Sequence, residues 1–225
     1  MAACGLLLVL GAVGLEAHGV SGKDAVFLEG LDGQAIGPLM YLGAKHMVTG
    51  YDHLLFLLGV IFFLYRLREI AAYVTLFAIG HSVTLLFGVL SETHVNPYIV
   101  DAIIGLSVVY KALDNLGAFQ RWFGARPNPQ IAVLLFGFFH GFGLATKLQE
   151  FTLSPEGLVA NIVAFNVGVE LGQLLALSAI LIAMNYWRRT DAFARQALAA
   201  NVALMAAGFV LIGYQLAGFA TVSGG

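Results

Sequence analysis

His46, Asp52, His53, His81, His140 and Glu170 are imidazoles and carboxylates set within long apolar runs of the chain. An ionisable side chain at the centre of a membrane-spanning helix costs about 2.5–3.5 kcal/mol on insertion scales, so a recurring set marks a pathway or a site. Asn166 and Gln173 add carboxamides, and Asp101 adds a further carboxylate. Inward-facing imidazoles, carboxylates and carboxamides are the ligand types that suit a divalent nickel, cobalt, copper or zinc ion. Neutral imidazole is the form that binds metal, so protons compete with the ion.

Helical phase sorts these residues into stripes. At about 100° per residue, His46, Gly50 and His53 share one face of a helix, and Asn166, Glu170 and Gln173 share another. Such stripes are expected to face each other across a bundle interior. His46 and His53 would stand about 10 Å apart along a straight helix. One ion can meet both only if the helix opens at Thr49–Gly50; otherwise the two are successive stations on a path, the alternative that transport favours. Gly137, Gly141 and Gly143 surround His140. They read either as a small-residue face for close helix packing or as a flexible stretch that bares carbonyls near a ligand. Lys111 and Asp114, at i and i+3, read as a structural ion pair, and Asn201 and Gln215 as structural polar residues. His18 reads as idle and His94 as a loop residue.

The elements that must position these groups follow from composition. The chain has 225 residues, 60% hydrophobic and 11% charged, with a mean hydropathy of +0.87. An ordinary soluble domain is about 45–50% apolar and about 25% charged. Lipid is therefore the expected solvent for most of this chain, which excludes a soluble enzyme, a nucleic-acid binder and a disordered protein. Residues 1–17, with an apolar run Gly5–Leu15, read as a signal peptide that carries the only cysteine, Cys4. Residues 18–36 read as a short extracytoplasmic segment, and 37–221 as one all-α, polytopic transmembrane bundle of about six spans. The spans fall near Leu39–Tyr65, Ile70–Leu90, Tyr98–Phe119, Ile131–Leu148, Leu158–Trp187 and Ala197–Ala220. Arg66, Arg68, Arg121, Arg126, Arg188, Arg189 and Arg195 lie in the first, third and fifth breaks, whereas Glu92, Glu150 and Glu156 lie in the second and fourth. The positive-inside rule then places both termini outside a bacterial inner membrane. Lys45 and Lys147, the outer exceptions, are expected to snorkel.

These residues resemble the HupE/UreJ family, membrane proteins tied to hydrogenase and urease maturation and regarded as nickel permeases. His46-Met47-Val48-Thr49-Gly50-Tyr51-Asp52-His53 resembles the family's first-helix signature. Gly80-His81-Ser82, Phe139-His140-Gly141 and Phe165 to Gln173 are similar to its later motifs. Gly143-Leu144-Ala145 stands where the hydrogenase-associated members carry a second histidine and an acid, so the chain is similar to the family's second branch. The resemblance spans about Leu42 to Phe219. It implies an integral membrane permease for a divalent metal ion, nickel first, with no prosthetic group.

On this reading His46 and His53 receive the ion from outside, and Asp52, His81, His140 and Glu170 form a midplane site oriented by Asn166 and Gln173. The expected partners are the bilayer, the ion and a metalloenzyme-maturation protein; no nucleic acid is implied. Enzymatic activity is not expected. Two alternatives remain open: a membrane-embedded metal-dependent hydrolase, in which Ser82 beside His81 gains interest, and a membrane subunit or assembly factor of a metalloenzyme.

Overall fold

The computed structural model describes residues 33–149 and 156–223. The expected leader with Cys4, His18, nearly all of the 18–36 segment and Glu150 lie outside them. Among the described residues every regular element is a helix: α1 (Ile36–Thr49), α2 (Tyr51–Ile61), α3 (Leu67–Leu90), α4 (Pro97–Asn115), α5 (Ala118–Phe123), α6 (Pro129–Gln149), α7 (Leu158–Arg188) and α8 (Ala192–Ser223). The all-α expectation holds.

Four helices are long and apolar enough to cross a bilayer: Leu67–Leu90, Pro129–Gln149, Leu158–Arg188 and Ala192–Val222. The expected six falls to four for two local reasons. The first expected span is broken at Gly50 into pieces of 14 and 11 residues. The third, α4, is 19 residues long and carries Asp101, Lys111 and Asp114, which lower its apolar character. α4 begins sharply because the Asn96 side chain accepts hydrogen bonds from the Tyr98 and Ile99 backbone N–H groups, with Pro97 at the first helical position. It ends at Asn115, short of the expected Phe119, because Gly117 adopts φ 68° and starts the separate helix α5.

Close backbone approaches join the helices in pairs. A Cβ on Gly80 of α3 would stand 2.6 Å from the Leu134 carbonyl oxygen of α6, and one on Gly137 would stand 2.5 Å from that of Phe77. Only glycine allows this contact. Thr84 adds a hydrogen bond across the same seam, its hydroxyl donating to the Phe138 carbonyl at 2.8 Å. α6 runs unbroken through Gly137, Gly141 and Gly143. The packing reading of these glycines therefore holds, and the flexible one does not. α1 meets α7 in the same way through Gly43, Gly168 and Gly172, and α4 meets α8 through Gly105 and Gly208. The outward faces carry exposed Ile79, Val83 and Phe87 on α3 and Val163, Val167, Leu171 and Leu174 on α7. A surface of this kind is suited to acyl chains rather than water.

The polar residues assigned to structure do serve it. Lys111 Nζ lies 2.6 Å from Asp114 Oδ2, and Arg126 joins the pair. Asn115 donates to the Gly59 carbonyl and to Asn201. Lys147 corrects its expectation. It does not snorkel to an interface: its Nζ lies 2.8 Å from Asp101 Oδ2, and its side chain is only 13% exposed. Within a low-dielectric bundle, a reachable carboxylate offers more than a distant interface. Gln215 of α8 also donates to Asp101, at 3.3 Å.

Candidate functional site

The break at Gly50 builds the site. Thr49 turns its hydroxyl back to the Lys45 carbonyl at 2.8 Å, a bond that competes with helix continuation. Gly50 follows at φ −71°, ψ 97°, an extended conformation that stops α1 and redirects the chain into α2. The bend brings the His46 and His53 ring centroids to 5.2 Å. A straight helix would hold them about 10 Å apart. Of the two alternatives, the interrupted helix is the one realised, and the expectation of widely spaced stations is overturned.

His53 is the hub of a four-imidazole cluster. Its ring centroid lies 5.2 Å from His46, 4.9 Å from His140 and 6.4 Å from His81. These rings come from α1, α2, α3 and α6. His53, His81 and His140 are each 1% exposed, and Asp52 is 2% exposed. Two imidazole nitrogens bound to one tetrahedral ion at about 2.0–2.1 Å would place their ring centroids about 5 Å apart. The His46–His53 and His53–His140 spacings match that figure. Among the described residues no three His, Cys, Asp or Glu groups are disposed to hold an ion as they stand. The rings are thus gathered without closing on a single point.

Two of the rings are held at Nδ1. Asp52 Oδ1 accepts from the His53 backbone N–H at 2.8 Å and lies 3.0 Å from His53 Nδ1. His140 Nδ1 lies 2.7 Å from the Phe136 carbonyl oxygen. A carbonyl oxygen only accepts, so Nδ1 of His140 carries the proton and its Nε2 is the basic nitrogen, and Asp52 in its carboxylate form sets the same tautomer in His53. This arrangement orients an imidazole for metal binding. The Nε2 atoms of His81 and His140 are buried with no hydrogen-bond partner among the described residues.

Phe56 and Phe77 wall the cluster and were not signalled as site residues by charge or motif. Phe77 lies 4.9 Å from His140 and 6.1 Å from His81 by ring centroid, and Phe56 lies 5.5 Å from His140. Their positions, three residues after His53 and four before His81, were the available signal: those spacings share a helical face.

The remaining candidates fall elsewhere. Glu170 is exposed on α7 and outside the ring cluster, which corrects its expected midplane convergence. Asn166 and Gln173 are seven residues apart and nearly in phase, and both are buried, whereas Glu170 is turned about 40–60° away from them. That rotation carries it onto the outer face. Asn166 Nδ2 donates to Ser82 Oγ at 2.8 Å and to Glu170 Oε1 at 3.5 Å, so a polar seam runs from beside His81 to the outer surface. Gln173 is 2% exposed, and its Nε2 has no hydrogen-bond partner among the described residues. Asp101 is held by Lys147 and Gln215.

An all-helical bundle with lipid-suited faces and a buried imidazole cluster defines a membrane protein. The chain matches the HupE / UreJ protein family over residues 22–223 and belongs to it. Membership implies a membrane accessory or metal-transport role. No curated protein and no solved structure matches the chain.

Proposed function

We propose that this protein is a permease for a divalent transition-metal ion, with nickel as the first candidate and cobalt, zinc or copper as alternatives. The observation that carries the reading is the four-ring cluster centred on His53, with Nδ1 of His53 held by Asp52 and Nδ1 of His140 held by Phe136. His46, at the end of α1, receives the ion. His53, His140 and His81 bind it in turn, and the open arrangement of their rings suits weak binding and release. The broken pair α1–α2 and the charged α4 count as the two further crossings, giving six. The arginine-rich breaks then face the cytoplasm of a bacterial inner membrane, with both termini outside after removal of a leader. A metalloenzyme-maturation protein receives the ion inside.

Reconstitution in liposomes with a panel of divalent metals tests this. The parent is expected to carry one or more of them, and His53→Ala to abolish the flux. Equal flux through parent and variant, or no metal crossing at all, overturns the reading.

One observation favours a second reading, a membrane-embedded metallohydrolase acting on lipid. The Ser82–Asn166–Glu170 seam leads from beside His81 to the lipid-suited face. Metal-dependent release of a lipid product, with no ion flux, would select it.

A further inference from the structure

A second polar centre lies at the end of the bundle that bears the arginines. There a cavity of about 450 Å³ opens between the end of α2, α3, α4, α5 and the loop leading to α6. Its polar wall holds Lys111, Asp114 and Arg126, and its apolar wall holds Phe63, Leu64 and Tyr73. Asp114 Oδ2 takes Lys111 Nζ at 2.6 Å and Arg126 Nη2 at 2.9 Å, and its Oδ1 takes Arg126 Nε at 2.6 Å.

One carboxylate thus faces two cations, and one positive charge is left over. The Lys111 side chain is 7% exposed, deep in the wall, whereas that of Arg126 is 56% exposed at the mouth. An ammonium has three N–H donors and a guanidinium five. Asp114 uses one of the former and two of the latter, so donors of both groups remain. Of the neighbouring amides, Asn115 Nδ2 spends both N–H groups on Gly59 and Asn201, and Gln120 Nε2 spends one of its two on the Gly124 carbonyl. A residual cationic fork beside an apolar wall, at the arginine-bearing end of the bundle, has the chemistry of a phosphate site.

We infer that this cavity binds a tetrahedral phosphate group through the Lys111 and Arg126 donors that Asp114 leaves over. The group comes either from an anionic phospholipid headgroup, whose glycerol and chains would lie along Phe63 and Leu64, or from free orthophosphate. The site is separate from the histidine cluster, so it stands whether or not the permease reading survives.

The test uses the purified full-length protein in detergent. Native mass spectrometry measures retention of phosphatidylglycerol against phosphatidylcholine, and thermal unfolding is followed with added orthophosphate. Phosphatidylglycerol is expected to be retained preferentially. Arg126→Gln is expected to weaken retention about tenfold, as fits the loss of charge-assisted bonds. Arg66→Gln, at an 83% exposed arginine on the same end but outside the cavity lining, is expected to change nothing. Displacement of phosphatidylglycerol by orthophosphate assigns one site to both. Stabilisation by orthophosphate without lipid preference assigns the free anion. The inference is overturned if the parent neither prefers phosphatidylglycerol nor responds to orthophosphate. It is equally overturned if Arg66→Gln loses as much as Arg126→Gln. Should Arg126→Gln not fold, orthophosphate competition on the parent decides alone.

Discussion

His46 and His53 are seven residues apart in the chain, yet their rings lie edge to face with centroids 5.2 Å apart. Gly50 makes this contact. A Cβ there would stand 2.9 Å from His53 Nδ1 and 3.0 Å from the His46 carbonyl oxygen. Gly50→Ala is therefore expected to push His53 away from Asp52 and weaken nickel binding about tenfold or more, as disturbed outer-shell contacts do. Isothermal titration of the detergent-solubilised variant checks this, with circular dichroism to confirm that helicity is kept.

On the proposed reading, Asp52 orients His53, whose Nδ1 lies 3.0 Å from its Oδ1. Asp52→Asn keeps the volume but loses the acceptor-only carboxylate that fixes the His53 tautomer. Metal affinity is expected to fall about 10- to 100-fold. Competition against a colorimetric chelator measures it, and an unchanged affinity would remove Asp52 from this role.

Glu170 stands outside the cluster. Glu170→Gln is expected to alter nickel affinity by less than about twofold, while His140→Ala lowers it more than about tenfold, one lost ligand exceeding 1.4 kcal/mol. Parallel titrations separate the two. A large loss in Glu170→Gln would bring that carboxylate back into the ion's path.

The Lys147–Asp101 pair is a stability element. Lys147→Met takes the paired cation from a carboxylate that is 6% exposed, and about 3–5 kcal/mol of stability is expected to go with it. The double variant Lys147→Met/Asp101→Asn removes both charges and is expected to recover most of the loss. Unfolding in mixed micelles gives the comparison.

How far the sequence reached can be judged residue by residue. The burial of His53, His81 and His140 was legible because lipid makes an unplaced ionisable group costly. The Lys111–Asp114 pair was legible from its i, i+3 spacing. The bend at Gly50 was legible only as one of two alternatives, because Thr49–Gly50 permits a break without requiring one. The Thr49 hydroxyl bond competes with helix continuation there, and α1 packs on α7 while α2 packs chiefly on α4, contacts that spacing does not record. Glu170 was misplaced because 40–60° of helical phase separates an inner from an outer face, and a stripe drawn at 100° per residue does not resolve that difference. The partner of Lys147 lies 46 residues away on another helix, beyond any local rule.

The glycine seam between α3 and α6 has a mechanical consequence. His81 and His140 ride on two rods whose backbones touch, and that close packing ties their relative positions. His46 belongs to the rod clasped by α7, and His53 sits beyond the bend. Any rocking of one clasped block against the other would stretch His53–His140 and His46–His81 while leaving His81–His140 almost constant. Gly50, the backbone break between His46 and His53, is where such a movement would be taken up.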